Sequence, residues 1–165
     1  MFNAVTIIPY AQIHQQQVIE LVLGTQQNEF NIPITLQDQP DLLMVDVFYR
    51  KGNGNFWVAI HNEQVVGSIA LLDAGQGLAT LRKMFVHKAY RGSTFNTALL
   101  LYQQLETFAI DHSFNSIMLG TVEKLIAARK FYVKNGFELI DKTMLPVHFP
   151  VMAVDNMFYV KHLNR

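Results

Sequence analysis

The stretch HKAYRGSTFNTALL (87–100) sets cations and one glycine directly ahead of an apolar repeat with helical spacing. The first N–H groups of a helix lack intrahelical partners, and the helix dipole favours negative charge there. A strand that runs through a tight turn into a helix is therefore a general phosphate cradle. Here Arg91 supplies a charge, Gly92 frees the backbone, and Ser93, Thr94 or Asn96 can cap the helix. An ordinary capped helix after a strand has the same local pattern, so the turn by itself leaves both readings open.

The charges around this turn are unevenly placed. The chain has 13 basic and 13 acidic residues and no net charge, which gives no broad positive field for nucleic acid. Yet Arg82, Lys83, Lys88 and Arg91 fall in one window without an acid, and Lys124, Arg129, Lys130 and Lys134 in another. If the two windows meet in space they mark an anion site; otherwise they are solvated faces. Residues 1–50 carry Glu20, Glu29, Asp38, Asp41 and Asp46 against Arg50 alone.

Other chemistries find little footing. With no cysteine, disulfides, a thiolate nucleophile and cysteine-ligated zinc are excluded, and a reducing compartment, the cytoplasm, is the expectation. The six histidines lack the i,i+4 pairing and neighbouring carboxylates of a metal site, so no metal is expected. GNGNFW precedes a strand, not a helix, and Ser68 has no Gly-x-Ser-x-Gly setting, which excludes a dinucleotide fingerprint and a hydrolase elbow. No apolar run approaches the roughly 20 residues that span a bilayer, so no membrane is expected.

The elements that must hold these residues follow from periodicity. Half of the 165 residues are apolar, enough for one domain with a sizeable core. Segment 10–24 has helical spacing and stops at Gly24; 25–40 reads as a loop; DLLMVDVFY (41–49) is helical again. Strands are predicted at 56–60, 64–72 and 78–86 as an antiparallel meander, then a helix ending near His112, a strand at 115–121, a helix at about 123–135, and strands at 137–140 and 152–160. The order is mixed α/β, with an antiparallel front half and a strand–helix–strand back half.

LRKMFVHKAYRG followed, about 30 residues later, by AARKFYVKNGFELI resembles the GNAT superfamily of N-acetyltransferases, which bind acetyl-CoA. Ala128, Phe131, Tyr132, Gly136 and Phe137 fall in register with the family's second motif. The resemblance implies a single domain over 1–165, an α/β (α+β) fold with a mixed, mostly antiparallel sheet of six to seven strands and about four helices. It further implies direct transfer of acetyl from acetyl-CoA to a primary amine of a small molecule or peptide. Arg91, Gly92, Ser93, Thr94, Phe95, Asn96 and Thr97 would hold the coenzyme A pyrophosphate, the backbone of Met84, Phe85 and Val86 the thioester and pantetheine, and Tyr132 would protonate the departing sulfur. The chain departs from the family pattern at Thr94 and Asn96, where glycines are usual, at Leu125, where asparagine is frequent, and at Thr80, where many relatives have glutamate. The base is left open between Glu29, Glu123 and an ordered water. The alternative implied by these departures is a degenerate domain that binds coenzyme A or another ligand as a sensor. The acidic bias of residues 1–50 suggests a cationic acceptor, and the last strand, MFYV, either pairs with a partner subunit to form a homodimer or lies inside the sheet.

Overall fold

The computed structural model describes residues 3–163. Strand β1 (Thr6–Pro9) pairs antiparallel with β2 (Asn55–His61), which turns into β3 (Gln64–Asp73). Asn62 and Glu63 make that turn with φ of 49° and 65°, the left-handed pair a two-residue hairpin needs to match strand twist. β4 (Leu78–Val86) completes the predicted meander, and α3 (Thr97–Asp111) carries the chain to β5 (Ser116–Thr121), parallel to β4. After α4 (Ile126–Lys134) and β6 (Glu138–Ile140), β7 (Met157–His162) inserts between β5 and β6. The seven-stranded sheet thus has the order β1-β2-β3-β4-β5-β7-β6 and, with the remaining helices α1 (Gln15–Leu23) and α2 (Val45–Tyr49), matches the expected mixed, mostly antiparallel fold.

Alternation along the strands makes two apolar layers. Trp57, Ile69 and Leu81 face Leu101 and Leu105 of α3, while Phe56, Val58 and Ala70 face Val18, Val22 and Tyr49 of α1 and α2. Because β3 is covered on both faces, its sequence is a continuous apolar run and not an alternating one.

Four local expectations are corrected. Gly24 does not stop the first helix, which continues as a π turn over Gly24–Glu29. The hydroxyl of Thr25 donates to the Leu21 carbonyl (2.9 Å), and the wider turn points Gln26 inward, where its amide exchanges hydrogen bonds of 3.1 and 2.8 Å with the buried Gln39. Segment 41–49 is not one helix: a 3-10 turn (Pro40–Leu43) breaks at Met44 (φ −145°) before α2. The helix expected from 123 starts at Ile126, because Leu125 is non-helical. The last strand starts at Met157, since 152–156 form a turn whose Asp155 N–H donates to the Met152 carbonyl (3.1 Å). As β7 lies inside the sheet, MFYV is not a free edge; β1 and β6 are the edges.

Close approach at Gly54 seats α2 on the sheet. A Cβ there would stand 1.8 Å from the Tyr49 carbonyl oxygen and 2.8 Å from that of Leu71, both backbone atoms. Gly54→Ala is therefore expected to lower stability by at least about 2 kcal/mol, seen as a fall in the urea midpoint.

Candidate active site

β4 and β5 pair only where Leu78–Thr80 lie beside Ser116–Met118; beyond Thr80 the two strands part. The same half of β4 carries a bulge. Ser68 and Ala70 of β3 oppose Phe85 and Arg82, so Ile69 alone faces both Lys83 and Met84. Lys83 adopts φ 51°, a left-handed conformation that costs about 1–2 kcal/mol for a residue with a Cβ. The buried Ser68 hydroxyl steadies it by donating to the Lys83 carbonyl at 2.7 Å. The bulge interrupts alternation, so the consecutive side chains Arg82 and Lys83 both reach the α2 side: Arg82 lies over the Phe48 and Tyr49 rings, and Lys83 pairs with Asp41 at 3.4 Å.

On the α4 side of the gap is a cavity of about 380 Å³, lined by Met84, Phe85 and Val86, by Arg91 and Gly92, and by Tyr132 among others. Gly92 (φ 91°) and Asn96 (φ 53°) both have glycine-like conformations, and asparagine is one of the few residues that tolerates this. Asn96 stands at the N-cap of α3 without a side-chain cap. Its side chain and those of Ser93 and Thr94 are exposed. Phe95 packs against Tyr90 and His61, and Thr97, the first residue of α3, is buried against Gly67; none of these five lines the cavity. The Arg91 guanidinium donates through Nε to the Val86 carbonyl (2.9 Å) and through its fork to both Glu29 oxygens (2.5 and 2.7 Å). That hydrogen bond holds the Glu29 carboxyl below its ordinary pKa. Lys124 lines the same cavity as Arg91, so the two basic windows of the sequence do meet.

A second, narrower cavity of about 110 Å³ opens on the α2 side and shares Met84, Phe85, Leu125, Ala128 and Tyr132 with the first. Tyr132 therefore stands where the two meet. Burial first, and then the charge of Asp155, push its phenol pKa well up, so the hydroxyl keeps its proton. Neither Glu29 nor Glu123 lines the narrow cavity, whereas Asp155 does. Burial raises the Asp155 carboxyl to about 6, against the pull of Arg82 and Lys83. Its seat is cut to fit: a Cβ on Gly120 would lie 2.5 Å from Asp155 Oδ2 and 3.1 Å from the Phe158 ring. The next residue is fastened to β5, with Asn156 N–H donating to the Thr121 carbonyl and Asn156 Oδ1 accepting from Glu123 N–H, both at 2.9 Å. Only a lone acid inside the apolar run MAVDNMFY hinted at Asp155 in the sequence.

Thr80, where the family often has glutamate, also lines this cavity, with a buried hydroxyl that finds no hydrogen-bond partner. Lys83 is lowered to about 8 by burial, partly offset by Asp41. None of the five acids of residues 1–50 lines the cavity. Asp41 is held by Lys83 and Tyr49, Asp46 by Arg50, Glu29 by Arg91, Asp38 by Thr35 and Glu20 by Gln16, so the acidic bias that suggested a cationic acceptor is taken up locally. Among the described residues no group of three or more metal-ligating side chains is placed to hold an ion, and no helix is long and apolar enough to cross a membrane.

The sequence profile of the acetyltransferase (GNAT) domain matches residues 52–139, which contain the meander, the turn and α4. The chain belongs to the GNAT family of acetyltransferases. An acetyltransferase of this family from Staphylococcus aureus Mu50 superposes with a TM-score of 0.94 at 38% identity, over 98% of this chain and 100% of that one. The PaiA N-acetyltransferase of Thermoplasma acidophilum, solved in complex with coenzyme A, shares the fold at a TM-score of 0.73 and 14% identity, over 97% of this chain and 99% of that one. In sequence, the N-acetylaspartate synthetase of Danio rerio is 31% identical over 105 residues, 62% of this chain and 36% of that protein. The chain spans about a third of the length of the curated relatives it matches.

A carboxyl raised from 3.8 to about 6 binds its proton more tightly in the native state than in the unfolded chain. Its contribution to stability is thus full below pH 3.8 and lost as pH rises through about 6. Asp155→Asn is expected to be more stable than the parent at pH 7.5 by about 1–2 kcal/mol, after allowance for partial solvent screening. The difference should close in urea titrations near pH 4.

Proposed function

We propose that this GNAT domain transfers acetyl from acetyl-CoA directly to a primary amine, the cosubstrate entering the α4-side cavity and the acceptor the α2-side cavity. The observation that carries this reading is the meeting of the two cavities at Tyr132, with Asp155 facing the acceptor side. Met84, Phe85 and Val86 border the cosubstrate side. There the N–H groups along the parted half of β4 would hold the thioester and pantetheine. The uncapped start of α3, with Gly92 and Asn96 in left-handed conformations, would receive the pyrophosphate on main-chain dipoles. Ser93, Thr94, Phe95 and Thr97 would then contribute backbone and not side chains. Arg91 would act by fixing the Val86 carbonyl and the turn.

In the reaction, the Asp155 carboxylate takes a proton from the acceptor ammonium. The neutral nitrogen attacks the thioester carbonyl, and as the C–N bond forms the C–S bond breaks. As the amide forms the nitrogen sheds its second proton to solvent, Tyr132 donates its proton to the sulfur and is reprotonated from solvent, and Asp155 passes its proton to solvent, so that amide and free thiol leave with one net proton released. A phenol raised by burial still suits this step, because the same burial raises the basicity of a thiolate formed beside it. Asp155 takes the role for which the sequence offered Glu29, Glu123 or a water. The rival, a sensor domain, is favoured by Thr80, which leaves the central strand without its usual carboxylate.

Calorimetry with acetyl-CoA and thiol release over an amine panel separate the two, since binding without release at any amine supports the sensor. With turnover, Tyr132→Phe should lower kcat by about 10²-fold or more while leaving acetyl-CoA affinity nearly unchanged. The pH profile of kcat/KM should rise through about pH 6 as Asp155 ionises, and Asp155→Asn should remove this limb. Arg91→Ala should weaken acetyl-CoA binding roughly tenfold through loss of the ordered turn. An unchanged dissociation constant would take Arg91 out of the site.

A further inference from the structure

Arginine is always charged, and its planar fork matches a carboxylate or phosphate. Buried or half-buried arginines therefore normally face an oxyanion. Arg82 lines the acceptor cavity half-buried and, although it acts on Asp155 through space, makes no direct ion pair among the described residues. The sole hydrogen bond of its guanidinium among the described residues goes from Nη2 to the thioether sulfur of Met152, at 2.9 Å. It forms none of the four ion pairs among the described residues, and its guanidinium carbon sits 5.5 and 6.0 Å from the Phe48 and Tyr49 ring centres. Aromatic contact and a soft sulfur position the fork but leave most of its N–H donors without a protein partner among the described residues.

The other charges of the cavity decide which anion fits. Lys83, next to Arg82, is already paired with Asp41, which also accepts from the Tyr49 hydroxyl at 2.5 Å. Asp155 brings a second negative charge without a salt-bridge partner among the described residues. With Lys83 and Asp41 offsetting each other, there remain one cationic seat at Arg82 and one anionic seat at Asp155. A molecule that is itself a zwitterion leaves the cavity neutral. A phosphate dianion would set its second charge against Asp155 and Asp41.

Resting on the acetyl-transfer reading, we infer that the acceptor is a small amino acid, with its carboxylate on Arg82 and its ammonium on Asp155. The two seats orient the nitrogen toward Tyr132 and the parted half of β4. They also exclude polyamines, which bring a second cation where Arg82 stands.

The test uses the full chain with acetyl-CoA and follows thiol release. A set of L-amino acids is compared with their carboxamides, with alkylamines, with spermidine and with O-phosphoethanolamine. Amino acids should be turned over at a kcat/KM about 100-fold above that of the matching amides. Arg82→Gln should collapse that ratio, mainly through KM, while the acetyl-CoA dissociation constant stays as in the parent. Arg82→Lys should fall between the two, because it keeps charge without the fork. Equal or faster turnover of amides, spermidine or O-phosphoethanolamine, or a ratio that survives Arg82→Gln, overturns the proposal. If acetyl-CoA binds but no amine releases thiol, the transfer reading fails, and calorimetry of amino acid against amide then decides the seat alone. Discrimination lost in Arg82→Gln supports the seat, and absence of discrimination in the parent removes it.

Discussion

A strand inside a sheet normally has both edges satisfied, and an unpaired edge in the interior is costly unless something else meets its polar groups. Past Thr80, β4 keeps β3 on one side and loses β5 on the other. The two cavities and the position of Tyr132 between them derive from that parting. The bulge at Lys83 acts at the same place. By admitting one extra residue into β4, it sends Arg82 and Lys83 to one face of the sheet and leaves Met84 and Val86 packed with the α3 side.

Holding such a gap open needs groups that do not simply collapse into an apolar core. On the α2 side these are polar and buried: the Gln26–Gln39 amide pair, and Asp41 between Lys83 and Tyr49. Replacing a buried ion pair by apolar residues often stabilises a protein, so these groups are weak evidence for stability and better evidence for a specified shape. The π turn that delivers Gln26, and the broken helix that delivers Asp41 and Tyr49, are local irregularities with the same result. Each brings a polar side chain inward over the sheet where a regular helix would present another residue.

The turn before α3 illustrates how a conformational requirement outlasts a residue type. The family prefers glycine in this region because positive φ and close backbone approach suit it. Asn96 adopts positive φ with its side chain in solvent, and the start of α3 stays uncapped. The cation in the turn also works indirectly. Arg91 is bound to Glu29 and to the Val86 carbonyl, tying the π turn of the first helix to the end of β4.

Much of this was legible in the chain itself. The meander, the α3 and α4 helices and the family motifs are set by short-range periodicity and turn residues, which carry their structural preference locally: Asn62-Glu63, the Gly75–Gly77 turn and Gly136 act wherever they stand. Tyr132 and the Met84–Val86 strand, which border the cavities, lie inside the stretch that carries such motifs. The place of Asp155 at the narrow cavity was not legible, because it depends on contacts far away in sequence, a glycine at 120 and charges at 82 and 83. Nor could charge counting show that the acids of residues 1–50 are taken by their own neighbours, since that depends on distance and not on composition. Residue type and spacing fixed the elements and the family. Which charges face one another across the gap between β4 and β5 was decided by packing, because electrostatic partnership is a property of the folded geometry.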